Sequence, residues 1–314
     1  MEQIVTSIAL MASVLMGISI GASSVSPAFG PVNSSRSANV LRSALLAGIF
    51  ALAGSVLQGQ NVANTVGSGF FSGEIEVVQG ASILLVAAVL VIFSVLTDYP
   101  MPTAFTVVGA VLGSTFSFGN AIQWPVVQKV VAYWIAVPFF ALALSYGTAR
   151  LLRRLLPEEG AEKRIRYLLL ASGSYMAYTA GAGSVGLATG PLKPLGFSST
   201  VLLWLGGLSI LAGTWMYSPR IIRAVSFDYS NIGPRRSIAA LLSSAFLAQI
   251  GIFYGVPISF NEAIIASVIG SGLVEGRSNT DTEKIGRTAA AWIGAFFLSA
   301  VLTFGVSRLL IFAT

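Results

Sequence analysis

A chain of 314 residues that is 55% hydrophobic and only 10% charged, with a mean hydropathy of +0.81, has too little polar surface to face water, so its solvent is lipid. Histidine and cysteine are both absent, which removes thiol chemistry, disulfides, imidazole and thiolate metal sites and every histidine-based triad; this argues against an enzyme and against any cofactor. The formal net charge of +6 and pI near 9.8 do not point to nucleic acid, because the basic residues are scattered beside apolar runs, where the positive-inside rule accounts for them.

Apolar runs of spanning length fall at about 4–22, 40–57, 80–97, 101–118 and 126–152, and again at about 167–190, 197–216, 237–254, 258–274 and 286–312. The first follows Glu2 rather than a basic stretch, so it reads as a spanning helix and not as a cleavable signal. Between the two sets lies the only strongly charged linker, RLLRRLLPEEGAEKRIR at 150–166. The chain therefore divides into a first membrane repeat (1–152), a charged linker (153–165) and a second membrane repeat (166–314). With five spans each, an odd number, the second repeat enters the membrane from the opposite side, so the two are inverted in topology.

Charge orients them. With both termini outside, the inner segments carry Arg36 and Arg42; Arg150, Arg153, Arg154, Lys163, Arg164 and Arg166; Arg220, Arg223, Arg235 and Arg236; and Arg277, Lys284 and Arg287. Only Lys129, Lys193 and Arg308 remain at outer ends. The expectation is an all-α, multi-pass protein of the cell membrane with a cytoplasmic central linker, its broken or re-entrant helices meeting near the bilayer midplane.

GASSVSPAFGP at 21–31 is answered by GAGSVGLATGP at 181–191, identical at seven of eleven positions. PMPTAFTVVGAVLGS (100–114) likewise aligns with PISFNEAIIASVIGS (257–271), and LAGSVLQGQ from Leu52 with LAGTWMYSP from Leu211. In lipid an unpaired backbone group costs several kcal/mol, so glycine and proline breaks survive where they line a cavity or are buried in protein. The alternative is close packing of small residues between helices. As a site, the paired segments offer half-helix N-termini with the hydroxyls of Ser23, Ser24, Ser26 and Ser184 and the backbone of Gly183, a set that favours an anion. Thr103, Ser259 and Asn261 stand where they can face the same centre, or can act as helix caps.

Glu262 is the one carboxylate well inside an expected span, and an intramembrane acid is by default functional, as a proton carrier, a cation ligand or the partner of a buried base, with an aqueous mouth or a simple ion pair as the alternative. Asp98 reads as interfacial, and Glu74, Glu76 and Asp228 as solvated loop charge. The segment GQNVANTVGSGFFSG (59–73), with Asn61 and Asn64, reads as an outer re-entrant or broken helix.

These paired motifs resemble the inorganic phosphate transporter family of secondary carriers, which has a GANDVANAFG-type signature in each of two inverted repeats and a PVSTTH-type motif later in each. GASSVSPAFGP and GAGSVGLATGP hold the first positions, PMPTAF and PISFNE the second, and SNIGPRRSIAALLSSAFLAQIGIFYGVPIS (230–259) is similar to the stretch leading into the second. The departures fall on the chemistry. The family's Asn-Asp is Ser23-Ser24 here in one half and Gly183-Ser184 in the other, its later Asn is Pro27 and Leu187, and its Ser-Thr-Thr-His is Pro102-Thr103-Ala104-Phe105 and Ser259-Phe260-Asn261-Glu262.

In the family the aspartates are associated with sodium and phosphate. Phosphate at neutral pH still carries a proton and can donate to a carboxylate, whereas sulfate offers only acceptors and is repelled by one. The serine-for-aspartate pattern is similar to the family's sulfate permease branch. The resemblance thus implies uptake of sulfate, with phosphate as the alternative substrate. The coupling ion is H+, carried by Glu262, or else Na+. An anion channel is the rival from another class. The partners implied are the anion, the coupling cation and membrane lipid, with a homodimer left open and no nucleic acid.

Overall fold

Helix starts and stops along the chain follow local chemistry. The computed structural model describes residues 2–34, 38–96, 102–156, 160–228, 233–276 and 282–313. Arg36, Asp98, Pro100 and Arg277 lie outside the described residues, as do the side chains of Arg220, Arg223, Asp228, Lys284 and Arg287. Helix α1 (Glu2–Ile20) runs into a π-turn (Gly21–Val25), a 3-10 turn (Ser26–Phe29) and the short α2 (Gly30–Ser34). There follow α3 (Val40–Gln58), α4 (Gln60–Asn64) with a π-turn (Thr65–Gly69), α5 (Val77–Leu96), α6 (Thr103–Phe118) and α7 (Trp124–Leu155). The rest comprises α8 (Glu162–Thr189) with a 3-10 stretch (Gly190–Leu195), α9 (Ser199–Asp228), α10 (Pro234–Phe253), α11 (Phe260–Gly272) ending in a 3-10 turn (Leu273–Glu275), and α12 (Thr282–Ala313). Asn39 caps α3 by accepting the Arg42 backbone N–H at 2.8 Å. Pro125 and Pro234 sit in first turns, where no N–H is required. Gly119, at φ 75°, closes α6 in the left-handed region that only glycine enters freely.

Among the described residues, seven helical stretches are long and apolar enough to cross a membrane by themselves. The protein is all-helical and membrane-embedded, with a lipid-compatible exterior: α7 exposes Ile135, Phe139 and Phe140, and α12 exposes Phe297, Val301 and Leu309. Helices α6 and α11 have 16 and 13 residues, about 24 and 20 Å, short of a hydrocarbon core of about 30 Å. Both are largely buried against other helices. Helix α8, rich in Gly, Ala, Ser and Thr, is buried along most of Leu169–Leu192 and takes its apolar surroundings from α3, α9 and α10 rather than from lipid.

The helices pair crosswise. Helix α1 packs on α5 and on α9, and α8 packs on α10 and on α3. Helix α6 lies along α12, α11 along α7, and α3 meets α9. The first glycine of each eleven-residue motif is a backbone contact point in this arrangement. A Cβ on Gly21 would come within 2.1 Å of the Ile210 carbonyl oxygen, and one on Gly181 within 2.0 Å of that of Ala51. The duplicated LAG segments reciprocate: a Cβ would meet the Tyr178 oxygen at 1.9 Å on Gly54 and the Ile18 oxygen at 1.9 Å on Gly213.

One expectation is corrected here. The two motifs do not open into half-helices with free backbone N–H groups. The second copy continues as α-helix through Thr189 and tightens to 3-10 only at Gly190, and the first stays helical as a π-turn whose Ser26 N–H returns to the Gly21 carbonyl. Proline placement explains the difference. Pro27 has no N–H to give, so the ladder shifts register there; the matching position in the second copy is Leu187, and the α-ladder lasts until Pro191. Glycines alone cost a helix only about 1 kcal/mol each.

Candidate functional site

The free backbone donors lie elsewhere, at the starts of the two short helices. Pro102 is extended (ψ 111°) before α6, and Ser259 is extended (ψ 97°) before α11. The first ladder bonds are made by Thr106 N–H to the Pro102 oxygen at 3.1 Å and by Ala263 N–H to the Ser259 oxygen at 3.2 Å. The N–H groups of Thr103, Ala104 and Phe105, and of Phe260, Asn261 and Glu262, therefore have no intrahelical partner and carry the helix's partial positive charge.

The π-turn after α1 brings serines to the first of these ends. Ser24 Oγ lies 3.1 Å from Thr103 Oγ1, and Ser23 Oγ lies 3.5 Å from Ser24 Oγ while donating to the Ser19 oxygen at 2.8 Å. Ser23, Ser24 and Thr103 thus form one hydroxyl patch. The Ser26 hydroxyl instead donates to the Gly21 carbonyl at 2.9 Å, the local backbone bonding open to any serine in a helix.

At the start of α11 the ring of Phe260 lies against α8 over Gly183, where a Cβ would come within 2.7 Å of its Cζ. Gly183 sits inside the continuous α8, so its N–H belongs to the helix ladder and its contribution is room for that ring. Ser184 and Ser259 are 0% and 2% exposed, and neither hydroxyl has a hydrogen-bond partner among the described residues. Asn261 is half-buried. Glu262 is buried in the first turn of α11, with no hydrogen bond or ion pair among the described residues. Helix α8 also touches α6.

An aromatic group links the two starts. Phe105, in the first turn of α6, stacks on Trp134 with centroids 3.9 Å apart and 13° between planes, and Trp134 Nε1 donates to the Pro257 oxygen just before α11 at 2.8 Å. The Trp292 ring lies 6.5 Å from that of Phe105, and its buried Nε1 has no acceptor among the described residues. Sequence reasoning missed this pair, although Trp134 and Trp292 stand 158 positions apart, close to the offset of the other duplicated segments.

Residues 59–73 hold α4 and the Thr65–Gly69 π-turn, and their asparagines are spent on structure. Asn61 donates to the Phe253 oxygen at 3.1 Å, and Asn64 accepts from Gln60 at 2.8 Å. Glu74 and Glu76 are exposed. Among the described residues no three acidic, histidine or cysteine side chains cluster to hold a metal. What the helix starts present is a set of hydroxyl and N–H donors beside one carboxyl, chemistry suited to holding and releasing an oxyanion.

A sequence model of the phosphate transporter family matches residues 20–303. A sulfate permease of Bacillus subtilis, CysP, is 26% identical over 94% of this chain and 85% of its own. A sodium-dependent phosphate transporter 2 of Xenopus tropicalis is 25% identical over 46% of this chain and 24% of its own. A solved structure titled the sodium-dependent phosphate transporter superposes with a TM-score of 0.89 over 99% of this chain and 100% of that one, at 16% identity, a likeness of fold. The family match spans both short-helix starts and the segments packed on them, and the chain belongs to the phosphate transporter family, as a membrane transporter of inorganic anions rather than an enzyme.

Proposed function

We propose that the protein is a secondary active transporter that takes up sulfate by proton symport and alternating access. The observation that carries the sulfate reading is the pairing of Ser24 and Thr103 at the open start of α6, where the family's pattern places an aspartate at Ser24. Donors without a fixed carboxylate acceptor suit an anion that is fully ionised and can only accept. Ser259 at the start of α11 and Ser184, next to the Gly183 that meets Phe260, are buried without hydrogen-bond partners among the described residues and are the proposed matching donors, with Asn261 in the first turn of α11. The name of the Bacillus relative, a sulfate permease, agrees with this.

Moving a dianion into a negative cell costs about 2.3 kcal/mol per charge per 100 mV, so accumulation requires cations to travel with it. Glu262 is the proposed carrier. An ionised Glu262 repels a dianion at the α11 start, whereas a protonated one adds an O–H donor, so proton and sulfate favour each other's binding. With Ser24, Thr103, Ser184, Ser259 and Glu262 all buried, release to either side requires the helices around them to shift.

The crosswise pairing of helices supports two inverted repeats, 1–152 and 166–314, because each contact has a counterpart with the halves exchanged: α1 on α9 with α8 on α3, and α6 on α12 with α11 on α7. The proposed orientation has both termini outside and the 153–165 linker in the cytoplasm. It is supported by the grouping of charge, with Arg150, Arg153 and Arg154 at one end of α7 and Lys129 bonded to the Tyr254 oxygen at the other. A second reading, sodium-coupled phosphate uptake, is favoured by the fold likeness to a sodium-dependent phosphate transporter.

Uptake of radiolabelled sulfate into proteoliposomes tests the proposal. Uphill accumulation driven by an inward proton gradient and abolished by collapsing it is the expected result. Sodium-driven phosphate accumulation without sulfate competition would establish the second reading, and passive conductance alone would make the protein a channel.

A further inference from the structure

We propose that the arginine-bearing end of α7 binds the phosphate headgroup of an anionic phospholipid whose acyl chain lies along the same helix. Arg150, Arg153 and Arg154 line a cavity of about 440 Å³ together with Tyr146 and with Val274 of the turn that ends α11. Their spacing puts the three guanidinium groups and the tyrosine on one helix face. None of the three arginines has an ion pair among the described residues. The nearest acid in sequence to Val274, Glu275, is taken by Arg236 at 3.0 Å.

The same face continues into the membrane as apolar surface. Phe139 and Ile135, on the line of Tyr146 and Arg150, are 73% and 62% exposed, and Gly147 between them and the arginines faces open space. From Phe139 to Arg150 is about 17 Å along the axis, close to the thickness of one leaflet of a core about 30 Å thick. A free phosphate or sulfate would engage the arginines but gain nothing from the stripe. An anionic lipid uses both, in the manner of basic pockets at the ends of spanning helices. Nothing in this site is shared with the helix starts of α6 and α11, so it stands or falls apart from the transport reading.

The test is native mass spectrometry of the full-length protein released from nanodiscs of equimolar phosphatidylglycerol and phosphatidylcholine. Preferential retention of phosphatidylglycerol is expected. Each basic side chain near an anionic surface is worth roughly fivefold, so the double variant Arg150→Gln/Arg153→Gln is expected to lower that preference roughly 25-fold. Equal retention of the two lipids by the unaltered protein overturns the proposal without recourse to any variant, as does an undiminished preference in the double variant. A parallel arm measures radiolabelled inorganic phosphate bound to delipidated protein. Binding that depends on Arg150 and Arg153 and displaces retained lipid would assign the pocket to a free anion and overturn the lipid assignment.

Discussion

The Cα of Gly181 lies so close to Ala51 that a methyl group on it would come within 2.0 Å of the Ala51 carbonyl oxygen, and Gly21 stands in the same relation to Ile210 at 2.1 Å. The neighbour in each case is backbone, which cannot rotate aside, so Gly181→Ala or Gly21→Ala must push two helices apart. Overpacking of this kind costs about 1–3 kcal/mol. Thermal unfolding of the purified variants in detergent should show a lowered midpoint for both. Wild-type stability in either would mean that these helices do not meet as closely as described.

Gly183→Ala is expected to behave differently, because its new methyl meets the Phe260 ring rather than backbone, at 2.7 Å from Cζ. A ring can tilt. The expected outcome is a folded protein with slower anion uptake, since Phe260 opens α11 and its displacement moves Ser259, Asn261 and Glu262. Uptake rate and unfolding midpoint measured on the same preparation separate the two effects; a fall in the midpoint as large as that of Gly181→Ala would make Gly183 a packing glycine like the others.

Ser24→Asp and Ser184→Asp each place a carboxylate beside the proposed dianion, and both should impair sulfate uptake. Ser24→Ala and Thr103→Ala are milder, each removing a hydroxyl whose hydrogen bond to a charged group is worth about 1.5–3 kcal/mol, a loss of roughly 10- to 150-fold in affinity. Calorimetric titration with sulfate reads the size. Unchanged affinity in all four variants would move the site away from the α6 start.

Glu262→Gln keeps the shape of the side chain and removes its ability to exchange a proton. Sulfate binding should survive, while uptake driven by a proton gradient should not. The check is a pair of measurements, equilibrium binding and gradient-driven uptake. Normal proton-driven uptake by Glu262→Gln would remove this residue from the coupling step.

Trp292→Phe keeps the aromatic contact near Phe105 but removes a buried indole N–H that has no acceptor among the described residues. If that donor serves only packing, its removal relieves an unmet polar group and the unfolding midpoint should hold or rise. If it serves the anion, sulfate affinity should fall as well. We expect the fall in affinity, read by the same titration, because the ring borders the first turn of α6.

Much of the architecture is legible in the sequence because lipid is an unforgiving solvent. Long apolar runs such as 80–97 and 126–152 correspond to α5 and α7, since their length and composition leave few other folds. Duplicated segments singled out Ser24 and Thr103, which the fold brings within 3.1 Å of each other. Sequence reasoning could not assign the glycines. A glycine that opens a helix and one that lets another helix touch it look alike in one dimension, and Gly21, Gly54, Gly181 and Gly213 are all of the second kind. Nor could it tell that Ser24 meets Thr103 across 79 positions while Ser26 turns back on its own helix, because π-turn geometry at Gly21–Val25 sets the direction of each side chain. Composition and patterning thus determined the solvent and the helices. Tertiary packing alone decided which donors stand free, because a donor is free only when every neighbour that could accept from it has been placed elsewhere.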